Sequence, residues 1–87
     1  MHGRLSAEME RALDAIPARQ RSALILAEVH DLTGVELAAA LGVSHVAARA
    51  LLTRGRESLR QALAVERARS AEHEAATHPS EGGEDDA

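Results

Sequence analysis

The chain is 87 residues long, the size of one small domain, and it contains no Cys and no aromatic residue. That composition excludes a disulfide framework, a thiolate metal site and base stacking on single-stranded nucleic acid. A chain this short buries only about 60% of its unfolded surface, which argues against a deep catalytic pocket and against an enzyme. No apolar run approaches the ~20 residues that cross a bilayer. The start, Met1-His2-Gly3-Arg4, leads into a polar helix pattern rather than a signal-peptide core. The expectation is a soluble cytoplasmic protein with no membrane partner.

The net charge of -4 conceals a division. Residues 1–70 hold all ten Arg against eight acids, and residues 71–87 hold six acids and no base. Within 45–70 there are six Arg and two acids. Such asymmetry fits a basic element followed by an acidic tail, or a solvated helix face with a solubilising end.

The predicted elements are all helical. A first helix spans about 6–15, with Ser6 as cap and Leu5, Met9, Leu13 and Ile16 on one stripe. Pro17 suits the first turn of a second helix, which runs to about His30. Leu24, Ile25, Leu26 and Val29 lie nearly all around it and predict cover on most sides. Thr33 and Glu36 make a capping box for a short third helix, and Gly42 supplies its left-handed stop. Ser44 caps a fourth helix that continues to about 67–69. Large apolar residues stop at Val65, and Pro79, Gly82 and Gly83 break any helix, so the end of the chain reads as disordered.

Two helices joined by a tight turn with glycine form a helix-turn-helix unit, although an ordinary helical hairpin uses the same signals. Here Leu37, Leu41 and Val43 bury the joint, small Ala38 permits close approach, and Gly42 with Val43 makes the turn. On the fourth helix Ala48, Leu52, Gly55, Leu59, Ala62 and Leu63 share an arc of about 100° and form the core face. Gly55 inside a helix implies a packing reason. Arg49, Arg56 and Arg60 fall on another face, with Thr53 and Val46 beside them and Arg54 further round. The front of a second helix of this kind enters the major groove, where Arg grips guanine or phosphate and Val46 meets a thymine methyl.

Several segments carry a resemblance. They are Ala12-Leu-Asp-Ala-Ile-Pro17-Ala-Arg-Gln20-Arg21, then Val29-His-Asp-Leu-Thr33, then Ala38-x-x-Leu41-Gly42-Val43-Ser44, then Arg54-Gly-Arg56-Glu-Ser-Leu59-Arg60. In this order and spacing, over about residues 8–65, the chain resembles the fourth region of extracytoplasmic-function sigma factors. The resemblance implies a four-helix domain, and with the helix pattern the expectation is an all-α helix-turn-helix domain over 4–69, similar to a winged helix without its wing, followed by the disordered acidic tail, 70–87, read from composition. It implies a bacterial module that reads the minus-35 promoter element and docks on the beta flap of RNA polymerase core. An anti-sigma factor or a separate sigma region-two protein is a further implied partner, because the family's second region is absent here and this chain would not initiate transcription alone. The resemblance maps DNA-binding positions onto Arg49, Ala50, Thr53 and Arg54, and the capped helix start adds Ser44, His45 and Val46 as DNA-binding candidates.

The family usually reads S-x-x-T-V-K-S-R-L where this chain has Ala47, Ala50 and Leu51 in place of Thr, Ser and the second basic residue. That substitution removes polar contacts and makes Leu51 a candidate protein interface. The alternative function is therefore a sigma-like protein-interaction module, and a third reading uses the apolar arc as a dimer seam. The acidic tail is expected to screen the Arg stripe in cis. No cofactor is implied. His73 and His78 have the wrong spacing for a helical metal pair, and His30 reads as a C-cap.

Overall fold

The computed structural model describes residues 6–77, and the regular elements among them are all helical. Helix α1 spans Ala7–Asp14. Ser6 starts it by accepting the Met9 N–H on its hydroxyl at 3.0 Å, which satisfies a donor that a helix leaves open in its first turn. Leu13 and Ile16 are buried and Met9 packs at their edge, while Leu5 lies outside the described residues.

Helix α2 spans Ala18–Leu24 and continues as a π-helical turn over Ile25–Val29. Pro17 is the cap rather than part of the first turn, since its ψ of 142° is extended and the helix begins one residue later. The π turn is closed by His30 N–H to the Ile25 carbonyl at 3.1 Å and by Leu32 N–H to the Leu26 carbonyl at 3.0 Å. Between them Asp31 has a φ of 62°, a left-handed conformation that Asp tolerates better than most residues. His30 thus caps through its backbone. Leu24 is buried as expected, but Val29 at the π turn is 44% exposed, so cover fails over the last turn of this helix.

Helix α3, Gly34–Leu41, begins with a reciprocal cap. Thr33 Oγ1 accepts the Glu36 N–H at 3.2 Å, and Glu36 Oε1 accepts the Thr33 N–H at 2.8 Å. It ends at Gly42, whose φ is 69°. Gly42 N–H bonds the Ala39 carbonyl at 3.2 Å and Val43 N–H bonds the Ala38 carbonyl at 3.0 Å, the Schellman pattern. That ending aims Val43 into the core beside Leu37 and Ala38.

Helix α4 spans His45–Thr77, 33 residues, or about 50 Å of rod. Ser44 caps it by accepting the Ala47 N–H at 3.0 Å. It packs against each of the other three helices. One buried cluster joins Ala23, Leu37, Ala38 and Ala48, with Leu26, Leu41, Leu51 and others against it. A second joins Leu13, Ile16 and Leu24, with Leu59 and Ala62 against it. Leu52 touches both clusters. The arc read as a core face is therefore consumed within the chain, which removes the basis for a dimer seam. Gly55 is buried where α2 comes closest: a Cβ there would lie 3.1 Å from Leu24 Cγ and 3.3 Å from the Gln20 carbonyl oxygen.

The expected boundary between 69 and 70 falls inside α4. Residues 70–77, read as disordered, are helical, and 78–87 lie outside the described residues. Nothing from Arg56 to Thr77 is a glycine or proline, and Ala, Arg and Glu sustain a helix without burial. The disappearance of large apolar residues marked the end of the packed stretch, not the end of the helix.

Candidate nucleic-acid interface

Helices α3 and α4 meet at 96° across Gly42–Ser44, within the range of helix-turn-helix units. Opposite the buried Ala48, the front turns of α4 present Val46, Arg49, Thr53 and Arg54, all exposed, with Ala50 half-buried among them. Val46 is 77% exposed, an apolar side chain facing water at the front of the rod. Ser44 spends its acceptor oxygen on the cap. His45 is exposed too, but its ring folds back over the start of α3: Nε2 lies 2.6 Å from where a Gly34 Cβ would stand. Leu51 is half-buried against the Ala23–Leu37–Ala48 cluster. It enlarges the core at the position where the resemblance expects a basic side chain.

Electrostatics divide the expected Arg stripe. Among the described residues, Arg49 and Arg54 have no ion-pair or hydrogen-bond partner. Arg56 donates to Glu28 at 2.7 Å, and Arg60 donates to Glu57 one turn before it. An unpaired, solvated guanidinium is free to bridge two oxygens of a phosphate or the O6 and N7 of guanine. A paired one must first leave its carboxylate.

Further back, Glu66 lies on the same arc as Ala48, Leu52, Gly55 and Leu59 and is only 6% exposed. It accepts from Arg11 Nε at 2.8 Å and stands 3.6 Å from Arg69. The hydrogen bond, and then the charge, of Glu66 raise the Arg11 pKa above its ordinary value. Glu66 is not among the residues that the sequence singles out, and its one signal is a charge in phase with an apolar arc. A cleft of about 620 Å³ opens at this ion pair, away from the front of α4. A smaller groove of about 230 Å³ is apolar, lined by Met9, Leu13, Leu24, Ile25, Val29 and Leu59, with Glu28 at its border. The exposure of Val29 at the π turn helps to open it, and no sequence signal marked that turn.

Among the described residues, no cluster of His, Asp or Glu is placed to hold a metal ion, and no single helix is long and apolar enough to cross a membrane. The length of α4 also bears on screening by the acidic end. Thr77 lies about 42 Å along the rod from Arg49. The ten residues 78–87 extend at most ~35 Å even when fully stretched. Even that span falls short of Arg49, and only the rear of the Arg stripe, with Arg60 about 26 Å from Thr77, comes within its length.

Helices crossing near a right angle, a left-handed glycine between them, and unpaired arginines on the outward front of the second define a DNA-binding helix-turn-helix domain. Residues 6–59 match region 4 of sigma-70, and the chain belongs to that family. It is similar to the ECF RNA polymerase sigma factor SigE of Mycolicibacterium smegmatis, with 39% identity over 61 residues, which is 70% of this chain and 24% of that protein. The chain thus spans about a quarter of the length of this curated relative. No solved structure matches it. Region 4 is a DNA-binding domain of transcription factors rather than an enzyme.

Proposed function

We propose that the chain reads the minus-35 element of a promoter through the front of α4 and docks on RNA polymerase core through the apolar groove between α1, α2 and α4. Arg49 and Arg54 carry the DNA contacts, with Val46, Thr53 and Ala50 between them. Ser44 and His45 approach the backbone at the capped end, where open N–H groups and the helix dipole favour phosphate. The single observation that carries this reading is that the two arginines at the front of α4 have no partner among the described residues.

Duplex binding against salt concentration tests the DNA face. Each lost phosphate contact reduces the slope of log affinity on log salt by roughly 0.9. Arg49→Ala is expected to show that reduction and Arg60→Ala, already paired with Glu57, to show none. Equal slopes for Arg49→Ala and the parent chain would place the groove face elsewhere.

The apolar groove supports the second half of the proposal and also the protein-interaction reading, in which polymerase flap or an anti-sigma protein is the main partner. Leu51→Arg is a poor probe of that surface, because Leu51 is core. Val29→Glu is a better one, since Val29 lines the groove while remaining 44% exposed. It is expected to abolish capture of polymerase core and leave duplex binding intact. Capture unaffected by Val29→Glu would remove the groove from the account.

A further inference from the structure

Arg56 stands seven residues behind Arg49 on nearly the same azimuth of α4, roughly 10 Å further along the rod. By position it belongs to the DNA-facing stripe, yet Arg56 Nη2 donates to Glu28 Oε2 at 2.7 Å. Glu28 lies in the π turn Ile25–Val29, which ends at the left-handed Asp31. A π turn shifts the side chains that follow it relative to a regular helix, and such turns concentrate at functional positions. The pair is not buried: the two side chains are 59% and 54% exposed. An exposed pair of this kind adds little to stability, so bracing α2 against α4 does not account for it well.

We propose that Glu28 is an internal substitute for a DNA phosphate, a positioning residue that withholds Arg56 from the DNA. This inference rests on the promoter-reading proposal. The argument is one of ion counting. DNA affinity depends on salt because each cation that meets a phosphate releases a condensed counterion. If Arg56 stays on Glu28, it releases none. If Arg56 moves to a phosphate, the vacated Glu28 carboxylate is left beside the DNA and its negative charge offsets the positive charge that Arg56 brings. In either arrangement Arg56 adds nothing to the salt slope while Glu28 is charged. Arg49 and Arg54, without carboxylate partners, contribute in full. The device lowers sequence-independent attraction to DNA and leaves the front of α4 to set recognition.

The test is duplex binding across a salt series for the full chain, Glu28→Gln, Glu28→Ala, Arg56→Gln and the double variant Glu28→Gln/Arg56→Gln, with Arg49→Ala as reference. Helix content and Tm are followed in parallel, and Glu28→Ala guards against an idiosyncrasy of Gln. Glu28→Gln and Glu28→Ala are each expected to steepen the slope by roughly 0.9 and to tighten binding most at low salt. Arg56→Gln is expected to match the parent slope, and the double variant to match Arg56→Gln. An unchanged slope in both Glu28 variants overturns the inference. So does a steepening that persists in the double variant, because Glu28 would then act as a diffuse repulsive charge. If Arg49→Ala lowers the slope while the Glu28 variants do nothing, only this inference fails. If the parent chain binds no duplex, the promoter-reading proposal fails with it.

Discussion

The front and the back of α4 are built from similar residues and do different things. Both halves carry arginines on a scaffold of alanine and leucine. At the front, core contacts with α2 and α3 hold Ala48 and Leu52 inward, and Arg49 and Arg54 stand out unpaired. Behind them most arginines meet an acid, Arg56 at Glu28, Arg60 at Glu57 and Arg69 at Glu66, which Arg11 also reaches, while Arg67 has no partner among the described residues but stands far from the helix start. Net charge is thus a poor guide to a nucleic-acid face in so small a domain. The informative quantity is which cations the fold leaves without a carboxylate, beside a helix end that already favours anions.

The comparison can be broken most severely through stability. Leu37 is fully buried beneath the front of α4. Leu37→Ala is expected to cost about 2–5 kcal/mol in urea unfolding, close to the whole stability of a domain this small. Ala71→Ser, on the exposed back of the same rod, is expected to change it by no more than about 0.5 kcal/mol. Comparable losses at both positions would mean that the back is packed as firmly as the front.

A smaller effect follows from the turn. Gly42 has open space around its would-be Cβ, so the penalty for replacing it is set by its φ of 69° alone. Gly42→Val is expected to cost about 1–3 kcal/mol, and Gly42→Asn distinctly less, because Asn adopts the left-handed region more readily. Identical losses for the two would show that the turn is not held in that conformation.

The prediction sharpest in sign concerns the ion pair behind the core. Removing Arg11 leaves the buried Glu66 carboxylate with only Arg69 at 3.6 Å, so Arg11→Ala is expected to lower the Tm. Glu66→Leu places an apolar side chain on an apolar arc and is expected to leave the Tm unchanged or raise it. A large loss from Glu66→Leu would mean that the pair, rather than the burial, secures the back of α4.

Much of this arrangement was legible in the sequence because it is local. The Thr33–Glu36 box, the left-handed Gly42 and the Ser44 cap each depend on residues within a few positions, and all three form as the spacing predicts. Gly55 was legible as a close approach because a glycine inside a good helix needs such a reason. What escaped reading is tertiary. Glu66 is buried by α1, and its partner Arg11 lies 55 residues away in sequence. Arg56 looked like part of one basic stripe until Glu28, 28 residues earlier, claimed it. The π turn left no local mark, since Ile25-Leu-Ala-Glu-Val29 is compatible with an ordinary α-helix. The far end of α4 is not marked by burial, because a helix of Ala, Arg and Glu continues after its packing ends.

Backbone NMR of the chain titrated with an upstream-promoter duplex tests the central claim most directly. Shifts confined to residues 44–54, with 60–74 unmoved, are the predicted result. Shifts concentrated at 60–74, or none at the front of the rod at saturating duplex, would contradict it.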